Sequence, residues 1–470
     1  MDSGCFTQLN LPMRADPRTR PSASGPSSQG NSVTTTTESY ILPPSILASS
    51  ILVLDEEKSV EKPTLQELTL QELLQVALQV EFSTIPPYLT AMYSIKDKTS
   101  LAYQFIRSVV MEEMLHLNLA SNLLNAVGGT PTLVGVGPWR QLFPPQYPVC
   151  LSKGAKGGGI YLQLMAMSPQ LIRETFMRIE QPAQPYAPAQ ETDFATIGQL
   201  YLAIKDRFEE YKGGYATTKQ STDWNFGNNG GTVIEVKDKN SAIQAINEII
   251  EQGEGADLIW EDNKQDYHIM QPWGQYEYYG PRTDGTYGPV LGTPLELSHF
   301  FKFKSIIDGT TPLPATYPMA PNPSVEKFNN PLAKKLGTLF NMFYSLLVDQ
   351  LQNALRGDKE RFLTNVVPLM RVALPVLATQ LMQVPVAEKS YTSVDPTAGP
   401  PFLYLADTQR DNLKKDAGAL AGEAGVLADK VANGEYSSAS NTLVAALRKI
   451  QQNLCDTSGL HHAASESCEP

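Results

Sequence analysis

Cysteine is scarce. There are four in 470 residues, and Cys5, Cys455 and Cys468 lie near the ends. That excludes a disulfide framework and a thiolate metal site. Clustered cations are missing as well: 37 Lys and Arg face 49 Asp and Glu, for a formal charge of −12, and no basic block occurs. Phosphate backbones need such clusters, so no nucleic-acid partner is expected. No window approaches the roughly 18 consecutive apolar residues that suggest a membrane span. Met1 to Gly30 lacks the basic-then-apolar order of a secretion signal. What is present is 42% hydrophobic and 18% charged residues, enough to bury a core. The expectation is a soluble, cytoplasmic, mildly acidic chain, long enough for about three domains.

Residues 1–60 begin with a Ser/Thr/Pro/Gly-rich stretch, "RPSASGPSSQGNSVTTTTES", which cannot offset its ordering entropy and is predicted to be disordered. A second loose tail is predicted over 456–470, where His461 and His462 read as a surface pair. Thr64-Leu65-Gln66-Glu67 has the form of a capping box, opening a helix through "LTLQELLQVALQVEF" toward Pro86-Pro87, where it should kink or restart. A second helix is expected over Leu101–Val127, stopped by Gly128-Gly129. "SPQLIRETFMRIEQP", "DFATIGQLYLAIKDRFEEYK" and "SAIQAINEIIEQGEG" each read as a helix, with a short strand over Thr232–Val236. A loop-rich insertion is expected over about 212–292, its later part crowded with Trp260, Trp273, Tyr276, Tyr278 and Tyr279. Such a loop serves as a lid or substrate wall, or else as a small satellite core. Pro294 should open a helix over "LELSHFFKFKSII". Helices at about 331–356, 358–383 and 409–453 make a C-terminal helical region over 325–455. The class is mainly α.

The chemistry concentrates in two Glu-x-x-His pairs, Glu113–His116 and Glu296–His299. Residues three apart share a helix face, so each pair directs a carboxylate and an imidazole to one point. Ile106, Val109, Glu113, His116, Ala120, Leu123 and Val127 form a core stripe at steps of three and four, with Glu112 directed elsewhere. Leu70, Leu74, Ala77 and Glu81 form another, and Glu296, His299, Phe303 and Ile306 a third. One such pair arises often by chance and usually marks a solvated face. Two pairs plus an inward Glu81 are harder to dismiss, because buried carboxylates are costly unless paired or metal-bound. Carboxylate and imidazole together suit iron or manganese. Di-iron bundles use one Glu from each of two helices and a Glu-x-x-His from each of the other two. His268 has no patterned partner, and the Gly-rich "GAKGGGI" and "GNNGG" lack the surroundings of a phosphate loop.

"LQVEFSTIPPYLTAMYSI", "VVMEEMLHLNLASNLLNAVGGTP", "TIGQLYLAI", "AINEIIEQGEG" and "ELSHFFKF" resemble, in this order, the ferritin-like domain of iminophenyl-pyruvate dimer synthases, which couple oxidised amino acids in bisindole alkaloid pathways. "FNMFYSLLVDQLQNAL" and "GPPFLYL" are similar to the C-terminal part of that family. The resemblance runs from about Thr64 to Leu405. It implies a ferritin-like four-helix bundle over 61–310, carrying the loop-rich insertion and followed by the extra C-terminal helices. It also implies a role in small-molecule biosynthesis. By position it carries Glu81, Glu113, His116, Glu296 and His299 over as metal ligands. The third-helix position, Glu in the family, is Gln199 here. An amide binds Fe2+ more weakly than a carboxylate, which leaves one ion or two open. Glu180, Asp206, Glu209 and Glu210 are nearby substitutes, none with the right face and family position together.

The expected function is that of a non-haem iron oxidoreductase using dioxygen on a small, amino-acid-derived molecule, with manganese as the alternative ion. Two other classes stay open: a metal-free cyclase or small-molecule-binding protein, and a metal-storage protein. The sequence leaves the oligomeric state undetermined, a homodimer included.

Overall fold

A computed structural model describes residues 66–138, 142–152, 160–181, 196–224, 233–253, 297–388, 396–406 and 417–458, with the backbone of four short strands between 257 and 289. The chain divides into two units, Met1–Val60 and Glu61–Pro470, and all described residues belong to the second. The disorder expected over 1–60 therefore falls outside them. So do Trp260, His268, Trp273, Tyr276, Tyr278 and the two glycine-rich loops.

The described residues are 60% helical. α1 spans Leu70–Ser94 and α2 spans Leu101–Ala126. The stretch "TLQELTLQE" contains the capping-box pattern twice, and the structure uses the second copy. Thr69 accepts from Glu72 N and Glu72 returns a carboxylate to Thr69 N, so the helix starts five residues later than the first copy predicts. α1 also continues without interruption through Pro86 and Pro87, where a kink or restart is expected. Pro87 has no N–H for the Ser83 carbonyl, and the Tyr147 hydroxyl donates to it instead at 2.7 Å. α2 ends at Gly128, whose φ of +79° continues the chain in the left-handed region.

α3 occupies 169–179 and contains a wide i→i+5 turn at Ile172–Phe176. α4 is Ile197–Glu210, α5 Lys239–Gly253 and α6 His299–Ile307. α6 is shorter than predicted: Ser298 is its extended N-cap, and Pro294 and Glu296 lie outside the described residues. No strand forms over 233–236. The aromatic insertion contributes two small antiparallel pairs, β5 (Asp257–Leu258) with β6 (Ile269–Met270) and β7 (Tyr279–Pro281) with β8 (Tyr287–Pro289). Earlier, β1 (Gly135–Val136) pairs with β2 (Leu142–Phe143), and β3 (Val149–Ser152) with β4 (Ile160–Leu162).

α1, α2, α5 and α4 pack in a closed ring, each against the next, and α3 and α6 pack together against its flank. On the other side of the α1–α2 pair lie α7 (Pro331–Leu355) and α8 (Lys359–Leu381). α8 is long and apolar enough to cross a membrane by composition, with a mean hydropathy of 1.5, yet it packs along α7. The single helix expected over 409–453 is instead two, α9 (Ala417–Ala432) and α10 (Leu443–Ser458), folded against each other after Gly434 turns the chain at φ +79°. α10 thus extends into the first residues of the predicted tail.

Candidate metal centre

Each functional side chain is placed by ordinary helix periodicity or by an interruption of it. On α1, Glu81 continues the apolar stripe, and Thr84 and Tyr88 follow it at steps of three and four. On α2, Glu113 and His116 share one buried face. His299 is the first residue of α6. Glu180 directly follows α3. The wide turn within α3 shifts the face of every residue after it, and Glu180 is buried, within hydrogen-bond reach of Tyr88.

These residues form two groups of three that share one member. Glu81, Glu113 and His116 bring one ligand atom each within 4.8 Å of one another, and so do Glu113, Glu180 and His299. Both imidazoles turn Nδ1 to the centre. His116 Nδ1 is 3.7 Å from Glu81 Oε2 and 3.7 Å from Glu113 Oε1. His299 Nδ1 is 3.1 Å from Glu113 Oε1 and 3.4 Å from Glu180 Oε2. The rings are near-parallel, with centroids 5.4 Å apart.

The outward nitrogens are held by other side chains. His116 Nε2 meets Gln252 Oε1 of α5 at 2.9 Å, and Gln252 in turn donates to Glu248 Oε1 at 2.7 Å. His299 Nε2 meets Glu112 Oε2 at 2.8 Å, and the same oxygen accepts from the buried Lys302 at 2.6 Å. Such outer contacts fix the ring orientation and the tautomer of a ligating histidine. The carboxylates are held in the same way. Tyr201 of α4 donates to Glu81 at 2.7 Å, Thr84 to Glu113 at 2.5 Å, and Tyr88 to Glu180 at 2.5 Å. Gly253 ends α5 beside Glu180, where an added Cβ would stand 3.2 Å from Glu180 Oε2.

The electrostatics favour a cation. Burial, then the charge of Glu180, pushes the Glu113 carboxyl up to about 7. Burial works against the His299 imidazolium, yet Glu180, Glu112 and Glu113 outweigh it and hold its pKa well above the ordinary range. Burial also opposes the His116 imidazolium, and Glu81 and Glu113 more than reverse that. For Glu112, burial is overcome by Lys302 and His299, which lower its pKa. Protons thus gather where positive charge is wanted. Among the described residues, no lysine or arginine pairs with Glu81, Glu113 or Glu180.

The donor set fits a metal. His299 Nδ1 is buried and lacks a hydrogen-bond partner of proper geometry, despite two carboxylate oxygens within 3.4 Å. The 3.7 Å separations at His116 Nδ1 are likewise too long for hydrogen bonds. These atoms converge on common points instead of pairing with one another, as ligands do. Of the sequence candidates, Glu81, Glu113, His116 and His299 come together, and Glu296 lies outside the described residues. Gln199 is buried in the first turn of α4, its N–H on Thr196 Oγ1. The cavity at the site is lined by its neighbours Gly198 and Tyr201 instead. Glu112, which the stripe directs elsewhere, is buried and bonded to His299.

No curated protein sequence matches the chain. Among solved structures, a ferritin-like protein from Caulobacter vibrioides is similar, at 21% identity and a TM-score of 0.46, over 72% of this chain and 97% of that one. A family model described as ferritin-like matches residues 74–308, half of the chain, from the first turns of α1 to the end of α6. The chain belongs to the ferritin-like family.

Proposed function

We propose that the chain is a non-haem iron oxidoreductase that binds two ferrous ions and uses dioxygen on a small, anionic, amino-acid-derived molecule. The observation that carries this reading is the pair of three-donor groups sharing Glu113. Glu81, Glu113 and His116 would hold one ion, and Glu113, Glu180 and His299 the other. Carboxylate-rich donors with one imidazole each suit iron, or manganese, better than structural zinc. When bound, the ions would supply Lewis acidity and the electrons that reduce dioxygen.

The protein contributes positioning and dryness. Gln252 and Glu112 fix the imidazoles, and three hydroxyls fix the carboxylates. The cavity above the site leaves about 10 Å³ for water-sized molecules, the room for about one, and is walled by Ile179, Ile197, Ile249 and Ile250 alongside the ligands. Those side chains exclude water from the donors, which strengthens every charge interaction there. Three carboxylates against two divalent cations leave a net charge of +1, so an anionic substrate group completes neutrality. That favours a carboxylate-bearing substrate, in keeping with the resemblance to enzymes that couple oxidised amino acids.

Anaerobic titration with Fe(II), read by metal analysis and by reductant-coupled oxygen uptake, tests this. Two ions per chain and an oxygen uptake stimulated by small amino-acid-derived acids are expected. A protein that binds no iron under these conditions overturns the reading.

A further inference from the structure

The α1–α2 pair is a wall with a cavity on each side. The second cavity lies between this pair, α7 and α8, and leaves about 60 Å³ accessible to water-sized molecules, within a wider space that is partly open to solvent. It shares no lining residue with the metal centre. Protein interiors are packed with few voids larger than a water molecule, which needs about 10–15 Å³ of such space. The space held between these long helices exceeds that several-fold.

Its chemistry is specific. Among the described residues that line it, none carries a charge. Two polar residues, Tyr344 and Asn118, stand among the apolar ones that line it. Tyr344 Oη and Asn118 Oδ1 are buried and have no hydrogen-bond partner. Leaving such groups unsatisfied costs about 1–3 kcal/mol each, a cost a ligand would remove. Phe340 does not line the cavity, but Phe402, which packs edge-on to both Phe340 and Tyr344, does, and it holds the phenol in place. Trp224 stacks flat on Phe362 at another edge.

The wall on α8 is shaped for the purpose. Phe362, Val366, Met370 and Leu374 all line the cavity at four-residue intervals. On a regular α-helix, such a row drifts by about 40° per step. α8 contains two wide i→i+5 turns, Phe362–Val366 and Leu369–Ala373, which counter that drift and keep the row facing one way. Wide turns of this kind occur frequently at functional sites.

We infer that this cavity binds a neutral, largely hydrocarbon small molecule bearing a hydroxyl or similar hydrogen-bonding group, which pairs with Tyr344 and Asn118. The site is independent of the metal centre, and its test does not depend on metal. The neutral fluorophore N-phenyl-1-naphthylamine serves as the probe on the full chain, metal-free and iron-loaded. Saturable binding of about one probe per chain is expected in both forms, displaced by 1-naphthol more strongly than by naphthalene. Val366→Trp should fill the space and weaken probe binding at least tenfold, with iron stoichiometry and far-ultraviolet dichroism unchanged. Tyr344→Phe, which keeps the shape, should reduce the preference for 1-naphthol by about fivefold, the contribution of one neutral hydrogen bond. Non-saturable binding, unchanged binding by a folded Val366→Trp protein, or an unaltered preference in Tyr344→Phe would each overturn the inference.

Discussion

Glu113 stands between the two imidazoles, its Oε1 3.1 Å from His299 Nδ1 and 3.7 Å from His116 Nδ1. Glu81, His116, Glu180 and His299 each belong to one group of three, and Glu113 belongs to both. Glu113→Gln keeps the shape and removes the shared charge, so it should abolish tight binding at both positions. Glu81→Gln and Glu180→Gln should each leave about one ion per chain. Metal analysis after gel filtration distinguishes the cases. Equal stoichiometry in all three variants would refute the shared-ligand arrangement.

Lys302 and Glu112 form a buried pair that holds His299 by its outer nitrogen. Replacing either alone strands a buried charge, at a cost of about 3–5 kcal/mol. Lys302→Met and Glu112→Gln should each lower the melting temperature. The double replacement should be less harmful than the sum of the two. Both single variants should also weaken metal affinity by about 10- to 100-fold, as lost outer contacts to a ligating histidine do. Full metal affinity in Glu112→Gln would show that His299 does not need this orientation.

Glu113 titrates near 7 in the metal-free fold, above its ordinary value of 4.5. A raised carboxyl pKa means that the folded state binds the extra proton between those values. The stability it contributes is present below about pH 4.5 and is lost as pH rises toward 7. The raised imidazole pKa values act in the same direction, their contribution falling away as pH rises above 6.5. Metal must displace these protons. The melting-temperature gain on adding Mn(II) or Fe(II) should therefore grow from pH 5.5 to pH 8, with protons released into weak buffer. A gain independent of pH would contradict this.

Tyr147 supplies the donor that Pro87 cannot give to the Ser83 carbonyl. Tyr147→Phe should cost about 1–3 kcal/mol in denaturant unfolding, the penalty for an unsatisfied buried group. Adding Pro87→Ala restores an N–H four residues on and should recover most of the loss. Absence of rescue would mean that the tyrosine acts through packing alone.

Gly253 leaves room for Glu180 Oε2. Gly253→Ala should displace that carboxylate by a few tenths of an ångström. Binding at the position of Glu180 and His299 should then weaken, while the Glu81–His116 position keeps its ion. Spectroscopic titration with Co(II) reads the two separately, and simultaneous loss of both would contradict the assignment.

Periodicity made most of the centre legible. Glu81, Glu113 and His116 lie on stripes of apolar residues, and Thr84 and Tyr88 were readable as continuations of the first. Glu180 was not, because a wide turn in α3 rotates it away from the face a 3.6-residue period assigns. Glu112 was misdirected for a different reason. A stripe locates the centre of a buried face, whereas α2 is enclosed on several sides, so the neighbouring carboxylate is buried too. The persistence of α1 through two prolines depended on a tyrosine some sixty residues away, which no local rule supplies.

On the partition formed by α1 and α2, consecutive residues serve different cavities. Glu81 and Phe82, Glu113 and Met114, and His116 and Leu117 lie about 100° apart on their helices, the first of each pair lining one cavity and the second the other. Turning either helix about its axis to accommodate a larger side chain on one side would withdraw a donor on the other. Positions 82, 85, 114 and 117 therefore carry a geometric obligation that their apolar character conceals. In a saturation screen, they should reject substitutions that an ordinary hydrophobic core absorbs, and metal retention should fail in those variants before folding does.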